Sequence, residues 1–455
     1  MKLDGKKALV AGLGESGLAM ARWLTREGAR VRVTDTRLEP PCFDALRQSL
    51  PEVEVECASR FDGPCFSGVD IVALSPGVDP YQLPSLSLPV VSEIDLFAHG
   101  VARHAPASRM VAITGSNGKS TVTALTAHLL RHSGVSAIAC GNISPSALAA
   151  LMDALDEGKL PQVWVLELSS FQLESTQALR ADAAALLNVS ADHLDRHRGD
   201  MSLYAAAKGR IFAGESVMVL NREDPVSYAH ASDGRRMFSF GLNPAPNERD
   251  FGVCEQVIYQ GSSRLLPLSE LRIPGLHNAL NAQAALALCA AIGVEARRVL
   301  PALRSFQSLP HRVEWVRTLN SVDYFDDSKA TNVDASISAI CSLGRPVAVI
   351  LGGDGKFQDF SALAPALAKH GRAVALIGRD AKRIASAIEG CGLPTRRFSG
   401  MYEAVRWLGK RTSPGDAVLL SPACASFDMY QDYRARAAHF VAVVDALASP
   451  GRRVA

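Results

Sequence analysis

The stretch TGSNGKST, Thr114 to Thr121, follows an apolar run, MVAIT at 110–114, and opens an amphipathic one, TVTALTAHLLRHSG at 121–134. The first run reads as a buried strand and the second as a helix. Gly118, Lys119 and Ser120 stand at the joint between them. Free backbone N–H groups and the positive end of the helix dipole favour a phosphate there. The usual phosphate loop has the pattern G-x-x-x-x-G-K-[ST]. Here Ile113 occupies the first glycine position, and the nearest upstream glycine is Gly115. The loop is shortened, yet a short loop can still cradle the outer phosphates. Lys119 would reach the terminal phosphates, and Ser120 would offer its hydroxyl to Mg2+.

A metal at that loop needs a hard anionic ligand. VWVLELSSFQLE, 163–174, supplies Glu167 at the end of an apolar run. An acid at the end of a buried strand beside a phosphate loop suits a hydrated Mg2+. His193, in NVSADHLDRH at 188–197, and Lys208, in LYAAAKGRIF at 203–212, are further candidates. Taken singly, such a histidine reads as structural and such a lysine as part of a solvated face.

Nearer the N-terminus, Gly12, Gly14 and Gly17 form G-x-G-x-x-G after the apolar run KKALVAG, and Asp35 ends the next apolar run. That is the dinucleotide-binding fingerprint in its strand–turn–helix context. Its chemistry selects a nucleotide diphosphate with a ribose. A nicotinamide cofactor and a UDP-sugar both satisfy it.

The order strand, helix, strand recurs along all 455 residues, which predicts α/β units with parallel sheets. Residues 97–109 and 304–312 lack a strand pattern and act as seams. Three domains are expected, at about 1–97, 98–308 and 309–455. Residues 235–272, rich in Gly, Pro and Ser, suggest hairpins inside the second. A net charge of +2, with both signs interspersed, leaves no footprint for nucleic acid. Nine cysteines without a C-x-x-C pair read as reduced thiols. With no leader-like N-terminus and no apolar run of about 18 residues, a cytoplasmic protein without a membrane span is expected.

Together these motifs resemble the Mur ligase family. The family loop G-[TS]-N-G-K-[ST] matches Gly115 to Ser120. GNI at 141–143, ELSSFQLE at 167–174, NVSADHLDRH at 188–197 and PGLHNALNA at 274–282 match in the family order. LPHRVE at 309–314, DDSKATN at 326–332, GGDGK at 352–356 and SPACASFD at 421–428 continue it. The resemblance implies a Rossmann-like N-terminal domain for a UDP-sugar, a central P-loop ATPase-type domain, and a C-terminal Rossmann-like domain for an amino acid. It points to the branch that joins D-glutamate to UDP-N-acetylmuramoyl-L-alanine through an acyl phosphate, in cytoplasmic peptidoglycan precursor synthesis. A monomer is expected.

Carried over by position, Ser16, Asp35, Thr36, Arg37, Ser75 and Asn142 resemble contacts to the UDP substrate. Gly115, Ser116, Asn117, Gly118, Lys119, Ser120, Thr121, Asn278, Asn281, Arg312, Asp327 and Lys329 resemble the ATP set. Thr331, Lys356, Ser426, Phe427 and Tyr433 resemble the glutamate side. Ser120, Glu167, His193 and Lys208 resemble ligands of two Mg2+ ions, Lys208 as a carbamate. Lys119, Glu167, His193 and Lys208 form the implied catalytic group. The segment MYQDYRARAAHF, 429–440, departs from the Phe-x-Asn-Phe-type run of many relatives, and Glu15 is charged where relatives are often apolar. Three alternatives remain open: a related ligase using another amino acid, including L-glutamate; a nicotinamide-dependent dehydrogenase; and a P-loop ATPase without ligase activity.

Overall fold

The computed structural model describes residues 1–448 except 58, 59, 85, 233 and 274. Pro274, which begins one of the quoted motifs, and residues 449–455 of the third expected domain therefore lie outside the described residues.

The first sheet holds β1 (Lys7–Ala11), β2 (Arg30–Asp35), β3 (Glu54–Cys57), β4 (Ile71–Leu74) and β5 (Val90–Ser92), in the order β3-β2-β1-β4-β5. All its recorded pairings are parallel. The second holds β6 (Arg109–Thr114), β7 (Ala137–Gly141), β8 (Val163–Glu167), β9 (Ala183–Leu186), β10 (Val217–Asn221) and β11 (Met237–Phe240), ordered β11-β10-β9-β6-β8-β7 and also parallel. A three-stranded sheet follows, from β12 (Phe251–Cys254), β13 (Val257–Gln260) and β14 (Ser263–Pro267). The last sheet takes β15 (Glu314–Leu319), β16 (Val322–Asp326), β17 (Val347–Gly352), β18 (Gly371–Ile377), β19 (Thr395–Arg397) and β20 (Ala417–Leu420), ordered β15-β16-β20-β17-β18-β19. The chain is thus a three-domain α/β protein, as the alternation of runs predicts.

The strands are continuous apolar runs because both faces of a parallel sheet are covered by helices. Ile71 to Leu74, Val163 to Glu167 and Ala417 to Leu420 are buried at every position. Putting such strands side by side leaves their C-terminal ends as the place where polar loops gather.

Parallel pairing is not universal. β15 runs antiparallel to β16, and β12 antiparallel to β13. Each hairpin turns on two non-glycine residues with positive φ: Asn320 and Ser321 at 50° and 61°, Glu255 and Gln256 at 49° and 60°. Positive φ at both central residues marks the type I′ turn, whose twist suits adjoining strands. The hairpins expected in 235–272 are therefore present, while the β15–β16 hairpin carries no glycine signal and departs from the parallel expectation.

By packing, the described chain forms two compact units. One comprises residues 1–189, 202–266 and 281–303. The other comprises 190–201, 267–280 and 304–455. Residue 97 lies inside the helix Glu93–His104, so that seam is helical in its first half.

The N-terminal glycine loop is fixed by close approach. A Cβ on Gly17 would lie 2.0 Å from the backbone oxygen of Gly12, and one on Gly12 2.7 Å from Val78 Cγ2. Gly17→Ala should destabilise the protein by about 1–3 kcal/mol, because a backbone atom cannot step aside as a side chain can. Chemical denaturation of the purified variant measures this; an unchanged midpoint would show that the loop and helix are not packed this tightly.

Candidate active site

The helix Lys119–His132 begins directly after Gly118, whose φ is 84°. A side chain there would meet Asn281 Oδ1 at 2.5 Å. Lys119 folds back over its own loop, its Nζ donating to the Gly115 carbonyl at 2.7 Å and the Ser116 carbonyl at 2.8 Å. Asn188 braces the loop from β9's end: Asn117 N donates to Asn188 Oδ1 at 2.8 Å, and Asn188 Nδ2 donates to Asn117 O at 3.1 Å. Ser116 Oγ lies 3.0 Å from Tyr204 Oη. Ser120 and Thr121 are buried at the helix start. The shortened loop is therefore held open by fixed polar contacts.

Glu167 ends β8 beside β6, which leads into the loop. It is 1% exposed. Oε1 accepts from Asn142 Nδ2 at 2.7 Å, whereas the buried Oε2 has no hydrogen-bond partner. A buried carboxylate oxygen left unpaired is costly unless a ligand completes it. The donor set, a carboxylate with the Ser120 hydroxyl on the adjoining helix, is the hard oxygen chemistry that suits Mg2+.

Lys208, on the helix Met201–Gly209, is 1% exposed. Its Nζ donates to the same Gly115 carbonyl at 2.8 Å and lies 4.6 Å from the centre of the Tyr204 ring. Two lysines thus converge on one carbonyl oxygen.

On the first sheet, Asp35 is buried at the end of β2. Leu13 N donates to its Oδ2 at 2.6 Å, and Arg37 reaches both oxygens, Nε to Oδ1 at 2.8 Å and NH2 to Oδ2 at 2.7 Å. Burial raises this carboxyl, but the Arg37 and Leu13 hydrogen bonds outweigh it and hold it below the usual range. Ser75 N donates to Ala11 O at 2.9 Å, which brings Ser75 against the glycine loop. Thr36 follows Asp35 in the same turn.

The second unit carries its own cluster. Lys356 Nζ donates to Asp192 Oδ1 at 3.0 Å and stands 3.5 Å from His193 Nε2. Asn332 Nδ2 donates to Asp192 Oδ2 at 3.2 Å. His193 and Lys356 both have left-handed backbones, φ 52° and 48°. Thr331 precedes Asn332, Ser426 is buried, and Phe427 is 73% exposed. Lys329 Nζ donates to Tyr433 Oη at 3.2 Å; burial raises that phenol, but the neighbouring Lys329 and Arg434 bring it down. Asp327 accepts from Ser421 Oγ at 2.7 Å, and burial pushes it up to about 7 despite that bond and nearby Arg312. His277, next to Asn278, is pushed down to about 4 by burial and by Arg312. His311, Glu314 and Asp326 also converge, but largely on one another. His311 N donates to Glu314 Oε2 at 2.7 Å, and His311 Nδ1 lies 2.7 Å from Asp326 Oδ2.

The sequence-predicted residues therefore gather into three groups. Asp35, Arg37 and Ser75 surround the first glycine loop. Residues 115–121 gather with Glu167, Lys208 and Asn281 around the second. Lys356 and His193, and separately Arg312 with Asp327, belong to the second unit. Asn142, expected at the UDP substrate, hydrogen-bonds Glu167. Asp192, Asn188 and Tyr204 escaped the reading. Asp192 sat within the quoted NVSADHLDRH run, one residue from His193, and that adjacency was the only signal in the sequence.

A nucleotide-type parallel sheet, a phosphate-loop sheet and a third α/β sheet in one chain define a three-domain nucleotide-binding protein with a metal-ready carboxylate. Family models match all three parts: "Mur ligase MurD-like, N-terminal domain" over residues 6–94, "Mur ligase middle domain" over 113–289, and "Mur ligase, glutamate ligase domain" over 311–424. The chain belongs to the Mur ligase family. A UDP-N-acetylmuramoylalanine–D-glutamate ligase of Dechloromonas aromatica is 58% identical over 451 residues, covering 99% of this chain and 100% of the relative. Another so named, of Nitrosospira multiformis, is 50% identical and covers 98% and 96%. Among solved structures, the UDP-N-acetylmuramate-alanine ligase of Thermotoga maritima aligns with a TM-score of 0.61 at 20% identity, over 97% of this chain and 100% of that one. The last comparison speaks for the fold alone.

Asp192 supplies a pH prediction. Burial raises its carboxyl, but Lys356, then His193, outweigh this and lower it from 3.8 to about 2. The native state therefore binds this proton less readily than the unfolded chain. Its contribution to stability is full above about pH 4 and lost as the pH falls through about 2. Asp192→Asn should be less stable than wild type at pH 6, with the gap narrowing from pH 4 towards pH 2. Urea midpoints across that range measure it, and a constant gap would contradict the pairing.

Proposed function

We propose that this protein ligates D-glutamate to UDP-N-acetylmuramoyl-L-alanine at the expense of ATP, within cytoplasmic peptidoglycan precursor synthesis. The observation that carries this reading is full-length identity of 58% to a relative of that name, joined to an intact phosphate loop beside a half-satisfied buried Glu167. We assign the UDP substrate to about 1–97, ATP to 98–308 and glutamate to 309–455. Two alternatives lose support. A dehydrogenase leaves the loop at 114–121 without a task, and a bare ATPase leaves the Asp192–Lys356 cluster without one.

The substrate carboxylate attacks the γ-phosphate of ATP, giving an acyl phosphate and ADP. The glutamate amine then attacks the acyl carbon, and phosphate leaves. Two anions meet in the first step, so cationic charge must be fixed in advance. Lys119, released from its loop carbonyls, follows the phosphate oxygens. Gly115 to Thr121 supply backbone donors. Glu167, Ser120 and Lys208 would hold Mg2+, which would supply charge neutralisation of the transferring phosphoryl group, and we assign His193 a metal-ligand role as well, two ions in all. We assign Asn278, Asn281, Arg312, Asp327 and Lys329 to ATP binding. The glutamate carboxylates are taken by Lys356, oriented by Asp192, with Thr331, Ser426, Phe427 and Tyr433 around them. Ser16, Asp35, Thr36, Arg37, Ser75 and Asn142 orient the UDP moiety.

Lys208 carries a carbamate in this reading. Two ammonium groups donating to the single Gly115 carbonyl repel each other. Adding CO2 to the neutral amine of Lys208 turns that repulsion into attraction and provides an oxygen donor of the kind Mg2+ takes.

Two experiments test the reading. ADP release with UDP-N-acetylmuramoyl-L-alanine and a panel of amino acids should require D-glutamate; equal release with L-glutamate, or release with no amino acid, would reject the specificity. In the same assay Lys119→Ala should lose about 10²-fold or more in kcat, and near-wild-type turnover would remove Lys119 from the mechanism. For the carbamate, Lys208→Ala should be inactive and partly restored by acetate, while intact mass of the native enzyme should show one added CO2. No rescue together with an unmodified mass would exclude it.

A further inference from the structure

Glu93 is 1% exposed and opens the helix Glu93–His104, yet its carboxylate serves two other helices. Ser16 Oγ, in the first turn of the helix Glu15–Arg26, donates to Oε2 at 2.5 Å. Leu148 N, at the start of the helix Ala147–Asp156, donates to Oε1 at 3.2 Å. Burial pushes this carboxyl up, and Ser16, Leu148 N, the Ser146 hydroxyl and Ala147 N offset part of that. The first turns of two helices thus converge on one buried carboxyl at the start of a third, and a helix N-terminus favours negative charge. Among the described residues no cation pairs with it.

The neighbouring residues lock the same helix to the second sheet. Asp95 Oδ1 accepts from Gln177 N at 2.7 Å and Ala178 N at 2.6 Å, and Ser92 Oγ lies 3.1 Å from Thr176 Oγ1. Glu93, however, touches the two places that matter for ligand. Ser16 lies in the first turn of the helix that follows β1 and its glycine loop on the first sheet. Residues 141–146, which lead into the helix Ala147–Asp156, carry Asn142 from β7 on the second sheet, and Asn142 in turn holds Glu167.

We propose that Glu93 is a positioning residue that fixes the separation of Ser16 from the 141–146 loop, and so the spacing between the two halves of the UDP-substrate site. This rests on the ligase reading above. A carboxylate suits the task because every recorded partner outside its own helix can donate. A glutamine side chain would set an NH2 group against one of these donor sets. It keeps the size of the side chain while breaking one side of the clamp.

The test is steady-state kinetics on Glu93→Gln, with the wild type run alongside. Wild-type activity establishes the ligase reading independently, so its failure is seen separately. Glu93→Gln should raise the KM for the UDP-sugar substrate about tenfold, the scale of one broken buried hydrogen bond, and leave the KM for ATP within twofold. A merely structural glutamate would instead lower the melting temperature and the yield of active enzyme, with both KM values unchanged, and that result overturns the proposal. Ser146→Ala trims the far side of the clamp without stranding a charge, and keeps the test decisive if Glu93→Gln fails to fold. It should raise the UDP-substrate KM about threefold with ATP unaffected. Equal shifts in both constants, or none in either, would refute the positioning role.

Discussion

A buried carboxylate with one unsatisfied oxygen sets the terms for the rest of this structure. Glu167 ends a strand buried at every position, and only Asn142 answers it. Leaving a charged oxygen in that state costs stability unless a ligand completes it. Much of the surrounding architecture follows from keeping it there. β6 and β8 run side by side so that the acid and the phosphate loop emerge at the same sheet edge. The loop is braced by Asn188 and Tyr204. Lys119 and Lys208 both donate to the Gly115 carbonyl within it.

The same economy of buried charge recurs elsewhere. Asp35 is held by Arg37, Asp192 by Lys356, and Glu93 by the starts of three helices. Asp192 and Glu93 join segments distant in sequence, and Asp35 reaches back to Leu13 as well. Surface ion pairs contribute little to stability, but these carboxyls are enclosed, and removing a partner leaves a buried acid stranded. They serve to hold loops in place as much as to hold the chain folded.

Much of this was legible in the sequence because period and punctuation carry it. Apolar runs alternating with amphipathic ones marked the parallel sheets, and the glycines at Gly12 and Gly118 marked the turns from strand to helix at their C-terminal ends. Glu167 was readable because an acid closing an apolar run is unusual. The hairpin at Asn320-Ser321 is different: two non-glycine residues adopt positive φ there, and it was not expected. Asp192 and Glu93 were hidden for another reason. Their partners, Lys356 and Leu148, lie 164 and 55 residues away in sequence, so only tertiary structure reveals why the acids are buried. Asn142 was expected at the UDP substrate, and its bond to Glu167 is likewise a tertiary fact.

The central claim is that Glu167 exists to complete a divalent cation against the nucleotide phosphates. Isothermal titration of ADP with and without Mn2+, on the wild type and on Glu167→Gln, addresses it directly. The account predicts that Mn2+ tightens ADP binding to the wild type by at least about tenfold, roughly 1.4 kcal/mol, and that the substitution erases this gain while leaving metal-free binding unchanged. An equal gain in both proteins would contradict it.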